Sequence, residues 1–159
     1  MFSKRLKIWR KAYDESLLKV NIQSGLQNMT YISEGMHYRV YKWHNNGVAF
    51  AVFSAKDRFY DDVELNDWID CLNMLRTLDH PWIPIMEHFS IGAETYIVQP
   101  FLETSISSIE NYELKDEKHS FKMYLSENNL ELNDILQFRS SSVWGVQVHD
   151  WSDLKRIGG

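Results

Sequence analysis

The sequence predicts an α+β fold, and three stretches carry that reading. Tyr38-Arg39-Val40-Tyr41-Lys42-Trp43 alternates as a half-buried strand should, and Asn45-Asn46-Gly47 is a turn signal before the returning strand Val48 to Phe53, because Asn and Gly tolerate positive φ. Leu65, Trp68, Ile69, Leu72 and Leu75 recur at helical spacing and predict an amphipathic helix with one packed face. Ile83, Ile85 and Phe89, then Tyr96-Ile97-Val98, read as two further strands around a turn at Ile91-Gly92-Ala93-Glu94.

The 159 residues are enough for one compact core and too few for two full domains. Hydrophobic residues make up 44% and aromatic residues 14%, which excludes a disordered chain. A formal charge of −5 argues against nucleic acid as the main partner, since phosphate neutralisation needs a surplus of Lys and Arg on one face. Cys71 stands alone among apolar helical positions, so there is neither a disulfide framework nor a thiolate cluster for zinc, as expected in a reducing compartment. Met1-Phe2-Ser3-Lys4-Arg5-Leu6 begins basic without the apolar run of a signal peptide, and no later run approaches a membrane span. The expected location is therefore the cytoplasm.

Along the chain, Phe2, Leu6, Trp9, Tyr13 and Leu17 fall at three- and four-residue steps, with Lys4, Arg5, Lys7, Arg10 and Lys11 on the other flanks. This predicts an N-terminal amphipathic helix over residues 2–18, within a segment 1–20. Its stripe either packs on its own domain or meets an anionic membrane surface or a partner groove. From Ile22 to Ser33 the pattern loosens around Ser24 and Gly25. Asp57, Asp61 and Asp62 supply caps and favourable charge for the next helix, which Asp79-His80-Pro81 ends. Past Leu102 the composition turns to Ser, Glu, Lys and Asn, with no helical stripe before Phe121, so a surface connection or flexible insert is expected after a boundary near 103. Leu130 to Phe138 and Val143 to Asp153 form the last ordered blocks. His37, His44, His80, His88, His119 and His149 show no ligand spacing, and His80 before Pro81 reads as a turn anchor.

In sequence order these pieces resemble a protein kinase domain from its glycine-rich loop to its metal-binding Asp motif, over roughly residues 30 to 157. The most specific portion is Leu75 to Phe101, where Leu-x-x-Leu-x-His-Pro-x-Ile, a Phe and Tyr-Ile-Val-x-x-Phe follow the order of helix exit, two strands and hinge. The resemblance implies a small-lobe-like antiparallel sheet with one packed helix over 21–103, and a short reduced large-lobe-like part over 104–159.

The chemistry of that family can be checked position by position, because phosphoryl transfer is mostly positioning and charge stabilisation. Matching Val40 to the last residue of GxGxxGxV puts Ser33, Gly35 and Tyr38 at the three Gly positions, and only Gly35 is kept. Matching Ala51 within Val-Ala-Ile-Lys puts Phe53 where the phosphate-binding Lys belongs, and an aromatic ring cannot replace an ammonium. Lys56 lies three residues later and reaches the site only through a bulge or a changed register. The paired Glu of the helix falls near Asn66, and loss of both partners is self-consistent, since an unpaired buried charge is costly. The catalytic loop matches Ser126-Glu127-Asn128 through Asn133, so the base position becomes Asn128, whose amide cannot take the substrate's proton. Asp150-Trp151-Ser152 resembles Asp-Phe-Gly, and the resemblance lets Asp150 and Asn133 hold a divalent ion together if nucleotide binds. The nucleotide-binding positions it implies are Gly35, Val40, Ala51, Lys56 and Pro100.

The expectation is a catalytically impaired kinase-like protein, needing no cofactor, that regulates or scaffolds by binding another protein, such as a kinase or a protein that kinases bind. The alternative is a small divergent phosphotransferase that uses Mg-ATP through Lys56, Asp150 and Asn133.

Overall fold

The structure is a computed structural model, and it describes residues 2–34, 38–55, 62–132, 136–151 and 153–157. The chain is α+β. In order, it forms α1 (Phe2–Ala12), α2 (Glu15–Gln23), β1 (Met29–Glu34), β2 (Tyr38–Asn45), β3 (Val48–Ala55), α3 (Asp62–Leu75), β4 (Glu87–Ile91), β5 (Glu94–Pro100), β6 (Thr104–Ser105), α4 (Ser108–Glu113), α5 (Lys115–Glu127), β7 (Leu130–Leu132), β8 (Phe138–Ser141), β9 (Gly145–Val148) and β10 (Leu154–Arg156). It divides into two compact units, Met1–Arg58 with Ile85–Phe101, and Phe59–Pro84 with Leu102–Gly159. Residues 59–84, including α3, therefore group with the C-terminal elements, whereas the sequence reading grouped them with the flanking strands.

The first unit is built on an antiparallel sheet in the order β1-β2-β3-β5-β4. The β2–β3 hairpin closes over Asn46 and Gly47, with φ of 48° and 77°, the two left-handed residues that a turn matched to strand twist requires. The β4–β5 hairpin closes over Gly92 and Ala93, as the sequence signal predicted. Strand β1 was not legible as a strand: its residues beyond Met29 are all exposed, so no alternation marks them.

The N-terminal stripe forms two helices, which corrects the single helix expected over residues 2–18. Asp14 breaks it, standing in extended backbone and accepting a hydrogen bond from Leu17 N at 3.0 Å as the N-cap of α2. The break resets the phase, so Leu18 and Ile22 are buried while Leu17 is exposed. From α1, Trp9 is buried with its ring edge-on to Phe50 at 5.0 Å, and Phe50 lies 5.2 Å from Trp43. The turn secures the end of α1: Asn45 Nδ2 donates to Ala12 O at 2.7 Å and Asn46 Nδ2 to Lys11 O at 3.0 Å, which satisfies carbonyls that a helix C-terminus leaves open.

In the second unit α3 buries Trp68, Cys71, Leu72 and Leu75, the face its spacing predicted, with Leu65 and Ile69 half-buried. Asp57 and Asp61, and the side chain of Asp62, lie outside the described residues. The expected connection past residue 103 instead carries α4 and α5. Ser107 caps α4, accepting from Glu110 N at 3.2 Å in an S-x-x-E spacing, and α5 buries Phe121 and Leu125 one turn apart. Two small sheets follow, β6-β8-β9 and β10-β7. Their core is aromatic: Trp82 packs on Phe121 and Phe138, and His80 lies 4.7 Å from Phe121.

Candidate functional site

In an antiparallel ladder, directly opposed residues share a face and successive residues alternate, so the register of β2, β3 and β5 sorts the sequence-predicted positions. Val40 opposes Phe53, Phe53 opposes Ile97, Lys42 opposes Ala51, and Ala51 opposes Gln99. Tyr38, Val40, Lys42, Ala51 and Phe53 therefore lie on one face. Pro100 opposes Phe50, which places it on the other face, where Trp9 also packs. The structure thus brings together Val40 and Ala51 and separates Pro100 from them. Gly35 and Lys56 lie outside the described residues.

On the shared face the two positions where the resemblance calls for Gly and Lys are in contact. The rings of Tyr38 and Phe53 meet nearly perpendicular, 76° between planes and 5.6 Å between centroids. Both are half-buried. Ser33, at the first Gly position, opposes Val40 across a bulge in β1. One cation of this face escaped the sequence reading: Lys42 is half-buried, with Nζ 4.5 Å from the centre of the Phe101 ring. Its signal was the alternation of β2, which puts Lys42 two residues from Val40 and on the same side.

In the second unit, Asn128 is the C-cap of α5. Its Nδ2 donates to Tyr124 O at 2.8 Å and its backbone N–H reaches the carbonyls of Leu125 and Ser126. Asn129 follows with φ of 63°, the left-handed step that turns the chain out of the helix. Asn66 is exposed on α3. Asn133 lies outside the described residues, so its pairing with Asp150 rests on the sequence alone. Asp150 is half-buried just past β9.

Around Asp150 the backbone is well held. Val148 N donates to Trp82 O and His149 N to Gln137 O, each at 3.0 Å. Trp151 is buried, its Nε1 donating to Val148 O at 3.1 Å, and its own carbonyl accepts Trp68 Nε1 from α3 at 3.1 Å. Burial holds the His149 imidazole below its ordinary pKa, against the opposing pull of Asp150. His80 is also pushed down by burial, with Asp79 opposing; its Nδ1 accepts Trp82 N at 3.0 Å, so the imidazole is neutral and anchors the turn, as its place before Pro81 suggested. Among the described residues no group of three or more His, Cys, Asp or Glu is placed to hold a metal ion. No helix among them is long and apolar enough to cross a membrane.

No protein-family model matches the chain, and no curated protein is significantly similar to it.

Proposed function

We propose that the chain is a kinase-like protein without phosphoryl transfer of its own, which works in the cytoplasm by binding another protein as a regulator or scaffold. The partner in this reading is a kinase or a protein that kinases bind. The observation that carries it is the Tyr38–Phe53 ring contact on the face shared by Val40 and Ala51. A phosphate site needs close backbone approach and a cation at these two positions, and here they hold a half-buried aromatic pair. The order β2, β3, α3, β4, β5 and the exit at Pro100 also supports the reading, because it is the element order that the resemblance implies. Asn128 supports it too: its amide is engaged as a helix cap and offers no carboxylate base.

Thermal unfolding with and without Mg-ATP, alongside AMP and metal-only controls, tests the proposal. A ligand that binds only the folded state stabilises it by about 2.7 kcal/mol at a hundredfold excess over its dissociation constant, which is readily seen in a chain of this size. No shift is the expected result. An ATP-specific, Mg-dependent shift, with phosphorylation abolished by Asp150→Ala, overturns the proposal in favour of a divergent phosphotransferase using Lys56, Asp150 and Asn133.

A further inference from the structure

Helix α1 carries five cations and no acidic residue, in a chain whose formal charge is −5. Among its described side chains, the buried Trp9 and Ala12 face the first unit's interior. Lys4, Lys7 and Lys11 recur at i, i+3 and i+7 on the far side, with Arg10 beside them, and all four are exposed. None of the four makes an ion pair among the described residues. Arg10 and Lys11 complement the negative end of the helix dipole, but Lys4 stands in the first turn, where a cation is disfavoured, so helix stability does not account for it. The hydrogen bonds from Asn45 and Asn46 to Ala12 and Lys11 fix the helix end on the hairpin, so the cationic face is presented in one orientation.

We infer that this face of α1, with Lys4, Lys7, Arg10 and Lys11, is a docking surface for a carboxylate-rich segment of a partner protein. The inference rests on the protein-binding reading above and gives its partner a chemistry. Three lysines in line span about 10 Å of helix, a length that a few residues of extended acidic chain cover. A protein segment fits better than a lipid surface, because an interfacial helix must turn its apolar face into the bilayer and Trp9 and Ala12 are already committed to the fold.

Fluorescence anisotropy tests this with the full chain and a labelled peptide of alternating Glu and Ser, against a Gln-Ser control and vesicles containing phosphatidylserine. The acidic peptide binds, the control does not, and binding falls as salt rises. Reversing Lys4, Lys7 and Lys11 to Glu lowers affinity about tenfold or more, whereas replacing them with Arg preserves it. Lys7→Gln alone, with an unchanged unfolding midpoint, gives a smaller loss and guards against misfolding of the triple variant. Absent binding at low salt, equal binding by the reversed variant, or binding to vesicles alone overturns the inference. A null Mg-ATP result alongside any of these leaves the regulator reading intact and removes only this surface.

Discussion

Tyr38 and Phe53, fifteen residues apart and offset by two positions in the β2–β3 register, touch edge to face on one side of the sheet. Each stands at a position where the expected resemblance calls for Gly or Lys, and together they make a packing contact that neither Gly nor Lys can make. Edge-to-face pairs contribute about 0.5–1.5 kcal/mol beyond area burial. A double-mutant cycle of Tyr38→Ala and Phe53→Ala, read by urea unfolding, should return a coupling energy of that order. A coupling near zero would mean that the rings are neighbours without being partners.

Gly47→Ala isolates a backbone effect. A Cβ at Gly47 meets no heavy atom within 4 Å, but φ there is 77°. The cost is then purely conformational, about 1–2 kcal/mol. Urea unfolding should show a lower midpoint at an unchanged slope, and the hairpin should keep its register.

His80 and His149 are both held below their ordinary pKa by burial. The unfolded chain then binds more protons than the folded one as pH falls below about 6.5, the unperturbed value. Their contribution to stability is full above that pH and is lost as pH drops toward the folded pKa values. Unfolding midpoints should fall over this range, and replacing both residues with Gln should make the fall shallower. An identical pH slope in the double variant would refute the assignment.

Cys71 is buried on α3, and burial is the main cause that raises its thiol pKa. A thiol that is both hidden and protonated reacts slowly, because the thiolate is the nucleophile. An aromatic disulfide reagent should label Cys71 only as fast as α3 opens, with the rate rising steeply in urea. Rapid labelling in native buffer would contradict the burial of this helix face.

Local signals made the first sheet legible. Asn46-Gly47 and Gly92 name their own turns, and the alternation of Tyr38 to Trp43 marks a strand with two different faces. Failures came where the deciding interaction was a single polar contact or lay outside the segment. Asp14 splits the N-terminal stripe through one cap, and Ser107 starts α4 inside a stretch whose composition reads as loop. Strand β1 is held by its ladder to β2 and shows no pattern of its own. Of the candidate positions, Val40 and Ala51 share a face of the β2–β3 hairpin and Pro100 lies on the other, a placement that depends on the pairing of β5 with β3 and so has no local signal.

The two amides that end α1 come from a turn more than thirty residues downstream, Asn45 bonding to Ala12 and Asn46 to Lys11. Isolated helices as short as this one are marginal in water. Helix α1 and the β2–β3 hairpin therefore support each other in the folded chain, so a poor turn residue also loosens the first helix, and trypsin cleavage at Arg10 and Lys11 reports on a turn far beyond it.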